Sequence, residues 1–196
     1  MQNAMSFYTD SSKNPKGAVE AGIFSLEMPG NISHRLSAET FIFSAELWAI
    51  FQVILITIDL GQCCVIFSDS RSALDSVQDM GKAHRNYTIY FIKQTYYETI
   101  SKGREIILFW IPAHSSIPGN EATDSVAKQA TLDTHRRFVC LTKISWLNRR
   151  IAPMFSSRNI WKRFPSPRVQ YIMSNTRHPE EPGFMKSLSA EKQLCL

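Results

Sequence analysis

The sequence predicts an α/β domain: a five-stranded mixed sheet flanked by helices, followed by a basic tail that is poorly structured or partly helical. Three observations carry this. The first forty residues hold short strand candidates separated by tight turns, which argues for an antiparallel opening. Strand-like runs then alternate with helix-period segments, which argues for parallel strands with crossovers. Ile106 to Ile111 is an unbroken apolar and aromatic run, the pattern of a strand buried on both faces.

Taken in order, Met5 to Thr9 is a strand candidate ending at Asp10, and Ser11 to Gly17 (SSKNPKG) is a turn by composition. Ala18 to Glu27 is the second strand and Asn31 to Ser37 the third, with Pro29 to Asn31 turning between them. Phe43 to Leu60 is a long apolar helix, with Ser44 as its cap and Glu46 in its first turn. A membrane span needs about 20 apolar residues, and Glu46, Gln52 and Asp59 interrupt this one, so it reads as a buried core helix with no membrane partner. Gln62 to Phe67 is the fourth strand, ending at Ser68-Asp69-Ser70. Arg71 to Met80 follows as a helix with Ala73, Leu74 and Val77 on one face, and Asn86 to Lys102 as another, stopped by Gly103.

The stretch from Glu105 to Lys128, EIILFWIPAHSSIPGNEATDSVAK, joins the fifth strand to a turn-rich loop carrying His114 and then to a last helix. Asn120 is the expected N-cap, with Glu121 in the first turn where the helix dipole favours negative charge. Ala122, Val126 and Ala130 are the expected buried stripe, and Asp124 is expected on the first turn, directed back toward the loop.

Charge divides the chain. Residues 1–133 hold 10 Lys and Arg against 14 Asp and Glu; residues 134–196 hold 12 against 3. An acidic module with a basic tail points to functional carboxylates in front and a polyanion contact behind, although a solvated tail has the same composition. The domain boundary is accordingly expected at residues 133 and 134. In the tail, Ile144 to Phe155 is helical by pattern until Pro153, and prolines at 165, 167, 179 and 182 argue against a stable element from Pro165 to Gly183. Arg149, Arg150, Arg158, Lys162, Arg163 and Arg168, interleaved with Trp146, Trp161 and Phe164, suit a nucleic-acid grip; a remnant of a longer polyprotein explains the same composition and is the favoured reading.

The four cysteines (Cys63, Cys64, Cys140, Cys195) show neither CxxC nor zinc spacing and read as reduced thiols. The opening MQNAMSFYTD has no signal-peptide pattern, so the expected location is cytoplasmic or nuclear rather than secreted.

The chemistry sits at element ends. Asp10 ends the first strand, Asp69 ends the fourth, Asp124 follows the fifth and Glu46 opens the long helix. Open α/β sheets place ligands at such ends. If the first and fourth strands are neighbours, Asp10 and Asp69 lie side by side and repel, raising one another's pKa. A divalent ion relieves that repulsion, and an all-oxygen site suits Mg²⁺ or Mn²⁺ rather than Zn²⁺. Two such ions activate water and stabilise the leaving oxygen in phosphodiester hydrolysis.

The blocks FYTDSSK, FSAELWAI, FSDSRSAL and WIPAHSSIPGNEATDSVAK resemble, in order, the four motif blocks of type 1 ribonuclease H. The wording of the last two is most similar to the ribonuclease H domain of non-LTR retrotransposons, and the likeness covers Met5 to Leu132. The resemblance implies a ribonuclease H-like fold and endonucleolytic cleavage of the RNA strand of RNA–DNA hybrids with two Mg²⁺ ions, Mn²⁺ being a substitute. It implies metal ligation by Asp10, Glu46, Asp69 and Asp124, and it makes His114 a proton carrier at the product side, suited by its ordinary pKa of about 6.5. Ser12, Ser70 and Asn120 become backbone or sugar contacts to nucleic acid, against a plain reading as turn and cap residues. A reverse transcriptase domain in a parent polyprotein is the implied neighbour. The alternative is a catalytically weak or inactive nucleic-acid-binding relic of the same fold.

The chain departs from the pattern at Ser11, Ala113 and Ser116, where the family often carries glycine; glycine tolerates φ > 0 that serine and alanine resist. Asp59, Asp75 and Asp79 read as helix-surface charges, His34, His84, His135 and His178 as solvated, and Trp48 and Trp110 as core.

Overall fold

The computed structural model describes residues 4–79, 86–113, 115–132 and 167–171. Its elements in chain order are β1 (Met5–Lys13), β2 (Val19–Phe24), β3 (Ile32–Leu36), α1 (Ile42–Leu60), β4 (Cys64–Ser68), α2 (Arg71–Gln78), α3 (Tyr87–Ser101), β5 (Ile106–Trp110), α4 (Pro118–Leu132) and β6 (Arg168–Tyr171). They form one mixed sheet in the order β3-β2-β1-β4-β5-β6. The β1–β2 and β2–β3 pairs are antiparallel, and β1–β4, β4–β5 and β5–β6 are parallel. This is the mixed α/β sheet that the sequence predicts, in the arrangement that the ribonuclease H resemblance implies.

Among the described residues the sheet has six strands rather than five. The sixth comes from the segment expected to hold no element: Arg168 to Tyr171 pairs in parallel with Ile107 to Trp110. The prolines that argue against structure there flank the strand instead of interrupting it, and an edge strand tolerates such neighbours. Its pairing covers the backbone groups of β5 that would otherwise form an open edge.

Period-2 alternation separates two cores. Phe7 of β1 and Cys64 and Ile66 of β4 face α1 and α3, packing with Leu47, Ile50, Phe51 and Ile92. Tyr8, Val65, Phe67, Ile107 and Phe109 face the other way, joined by Ile111 and Ile117. There the Tyr8 and Phe67 rings stack at 4.8 Å and Phe67 and Phe109 at 5.4 Å.

Helix α1 is long and apolar enough to cross a membrane by length and composition. In the fold it lies on the sheet, with every residue from Ala45 to Phe51 buried, because its two sides are covered by β1 and β2 and by α3. Trp48 belongs to this core, and His34 meets its ring edge-on at 6.1 Å rather than standing in solvent.

Several boundaries differ from the sequence reading. Strand β1 runs through Ser11 and Ser12 to Lys13, so the turn begins at Asn14, whose side chain accepts from the Ala18 N–H at 2.9 Å. Phe41, not Ser44, stands at the N-cap of α1, and Glu46 falls just beyond the first turn. Ser44 instead accepts at 3.1 Å from Asn86, the N-cap of α3, whose own Oδ1 accepts from the Thr88 N–H. Helix α4 starts at Pro118, because proline lacks the N–H that would be orphaned there and presets a helical φ. Asn120 therefore lies within the first turn instead of capping it, and Asp124 falls on the second. The buried stripe is Asn120, Thr123, Ala127 and Ala130, rotated by about one residue from the expected Ala122–Val126–Ala130 line.

Candidate active site

Neighbouring parallel strands bring the carboxylates together. The register pairs Thr9 of β1 with Ser68 of β4, so the next residues, Asp10 and Asp69, emerge side by side. Glu46 arrives from α1 across the same strand end. Oxygen atoms of Asp10, Glu46 and Asp69 all lie within 4.8 Å of one another. Asp124 is not among these three; its Oδ2 accepts from Lys128 Nζ at 2.6 Å, one helical turn on.

The backbone around Asp69 is fixed from two directions. Its carbonyl accepts from the Arg71 N–H at 3.0 Å and from Trp110 Nε1 at 3.1 Å. Trp110, read from sequence as core, is half-buried and ties the end of β5 to the loop that presents Asp69. Across β1, Asp10 stands opposite Gly22 of β2. A Cβ on Gly22 would lie 3.1 Å from both Ala127 Cβ and the Thr123 carbonyl oxygen, so the missing side chain lets α4 close on the sheet. Gly119 makes the same allowance at the start of α4, where a Cβ would fall 2.3 Å from the Tyr8 ring.

Electrostatics follow from the packing. Asp10 is 9% exposed and Glu46 4%. Burial, then the nearby Asp69 carboxylate, raises the Asp10 pKa to about 7, with Asp124 adding to the rise. Burial, then Asp10, raises that of Glu46 to about 8. Ser11 opposes both shifts: its N–H donates to Asp10 Oδ1 at 2.7 Å, and its hydroxyl to Glu46 Oε1 at 2.5 Å. Glu46 Oε2 is buried with no hydrogen-bond partner among the described residues.

These residues fit a divalent cation. Three carboxylates are a hard, all-oxygen donor set, and oxygens around one octahedral Mg²⁺ sit ~3–4 Å apart given its bond lengths. A cluster within 4.8 Å closes to that size with small side-chain movements. An uncompensated buried oxygen on Glu46 is the group such an ion would satisfy.

Ser12 is half-buried near the end of β1, and Ser70 is half-buried at the N-cap position of α2 without making a side-chain cap bond. Asn120 is only 3% exposed, and its Nδ2 donates to Asp69 Oδ2 at 3.5 Å. His114 lies outside the described residues. Of the three departures from glycine, Ser116 adopts φ 55°, the left-handed region that a glycine would enter freely, whereas Ser11 and Ala113 do not.

Two residues at the cluster escape the sequence reading. By composition Ser11 falls in a turn, although a hydroxyl beside a strand-end aspartate is a legible sign of a local donor. Lys128 follows Asp124 by four residues, a spacing at which opposite charges meet on a helix.

Comparison with curated proteins gave no match. The family model described as RNase H matches residues 2–132, which spans β1 through α4 and all four carboxylates. With the strand order, the carboxylate cluster and this match in agreement, the chain belongs to the RNase H family.

Proposed function

We propose that this chain hydrolyses the RNA strand of RNA–DNA hybrids endonucleolytically, with Asp10, Glu46, Asp69 and Asp124 as metal ligands, and that it derives from a non-LTR retroelement. Family membership supports the substrate class. One observation carries the metal-dependent reading: Glu46 Oε2, buried and without a partner among the described residues, belongs to one of three carboxylates whose oxygens come within 4.8 Å of one another. Such a set repels itself without a cation and gains from one.

Mg²⁺ ions held there, with Mn²⁺ as a substitute, would polarise the scissile phosphate, activate water and stabilise the leaving oxygen. Asp10, Glu46 and Asp69 form the tighter group. Asp124 lies close enough to add to the rise in the Asp10 pKa, and with the tighter group it would complete the set of carboxylates that hold the ions. In the reaction water adds to phosphorus, one P–O bond breaks, and the leaving oxygen takes a proton. His114 is the residue we assign to carry that proton. Ser12 and Ser70, half-buried beside the carboxylates, are the proposed sugar or backbone contacts, reading helix shape and 2′-hydroxyls rather than base sequence.

The basic segment after residue 133 is the proposed source of additional phosphate affinity, and a reverse transcriptase domain the proposed neighbour in a parent polyprotein. The retroelement origin rests on the wording of the FSDSRSAL and WIPAHSSIPGNEATDSVAK blocks.

The test incubates the full chain and its Asp10→Asn variant with Mg²⁺ and labelled RNA–DNA hybrid, beside duplex DNA and single-stranded RNA. Internal cleavage confined to the hybrid, and lost in the variant, is expected. No hybrid cleavage, or equal cleavage by the variant, overturns the reading.

A further inference from the structure

The metal-site reading above leaves open what aims the carboxylates. Alternation along β1 puts Ser11 on the same face as Phe7, toward α1, and Asp10 on the opposite face with Tyr8. The two carboxylates of Asp10 and Glu46 thus approach from different sides of the sheet, and Ser11 is the residue between them. Its N–H holds Asp10 Oδ1 at 2.7 Å and its hydroxyl holds Glu46 Oε1 at 2.5 Å. Among the described residues Glu46 Oε2 receives no donor, and it is buried.

We propose that Ser11 is a positioning residue of the carboxylate site: it ties one oxygen each of Asp10 and Glu46, leaving Glu46 Oε2 as the oxygen presented to a divalent cation. The inference rests on the metal-site reading.

Two negatively charged carboxylates confined within 4.8 Å swing apart unless something restrains them. A glycine or alanine at position 11 retains the N–H but lacks the hydroxyl, so Glu46 would be free to rotate and would have to be ordered by the incoming ion. Donors to a ligating carboxylate orient it, and their loss weakens metal binding without removing a ligand. A hydroxyl that merely satisfied a buried acceptor would leave metal affinity alone.

Titration of the full chain with Mn²⁺ alone, in the absence of nucleic acid and followed by calorimetry, separates these cases. Ser11→Ala is expected to weaken Mn²⁺ binding about tenfold, while Ser11→Thr, which keeps the hydroxyl and suits a strand, stays within about twofold of the parent. Ser11→Gly carries the same expectation as Ser11→Ala and replaces it if that variant does not fold. An unchanged affinity in Ser11→Ala, or an equal loss in Ser11→Thr, overturns the role given to the hydroxyl. A parent chain that takes up no Mn²⁺ overturns the metal-site reading as well, so the two failures are distinguishable.

Discussion

Lys128 Nζ lies 2.6 Å from Asp124 Oδ2, so the fourth carboxylate is held by a cation of the same helix while the other three face one another. A metal ion using Asp124 must compete with that ammonium. Lys128 is largely exposed, which limits the pair to ~0.2–1 kcal/mol. If Asp124 is a metal ligand as proposed, Lys128→Met is expected to tighten Mn²⁺ binding there by about two- to fivefold, measured by calorimetry. Its effect on unfolding is expected to stay below about 0.5 kcal/mol.

Metal-free stability should fall as pH rises. Asp10 and Glu46 have folded pKa values raised to about 7 and about 8, above the 3.8 and 4.5 of free carboxyls. The folded state thus holds its protons more tightly than the unfolded chain. That contribution is complete below about pH 4 and is lost progressively up to about pH 8. Thermal unfolding in chelator between pH 5 and 8 checks the slope, and Mn²⁺ should restore stability most at the upper end, where both groups must be charged.

Glu46→Gln separates stability from activity. Removing a buried charge at pH 8 relieves desolvation and repulsion from Asp10, so the metal-free variant should melt higher than the parent there and nearly equally at pH 5. Hybrid cleavage should drop more than about 100-fold, since even indirect perturbation of ligands costs ten- to a hundredfold. Melting curves at both pH values and a cleavage assay on the same preparations make the comparison.

Gly119→Ala should destabilise the fold by about 1–3 kcal/mol through overpacking. The added methyl meets a Tyr8 ring that is 2% exposed and stacked on Phe67, so neither ring has room to withdraw. Denaturant unfolding measures the loss. Because Tyr8 and Asp10 share β1 and its α4-facing side, metal affinity is expected to weaken in parallel.

Ser116→Gly should act in the opposite direction. Ser116 adopts φ 55°, a conformation costing an L-residue roughly 1–2 kcal/mol, partly offset by the greater freedom that glycine has when unfolded. A net gain of up to about 1 kcal/mol in denaturant unfolding is the expected result.

The sequence by itself determined the fold class, because strand and helix periodicities survive any packing arrangement: of the ten elements among the described residues, nine lie where their apolar patterns put them. It also brought Asp10, Glu46 and Asp69 to notice as carboxylates at element ends. Helix ends were read less well, since Pro118 at the first helical position outweighed the cap signal of Asn120 and rotated the buried stripe of α4. Only tertiary structure decided the rest. Strand β6 forms because an open β5 edge rewards pairing, which no local pattern around Arg168 announces. The division of the four acids into a close trio and an Asp124 held by Lys128 depends on distances between elements far apart in the chain. The bridge from Ser11 to Glu46 spans 35 residues of sequence, and it exists because β1 extends past its apolar run and carries the hydroxyl to the end of α1.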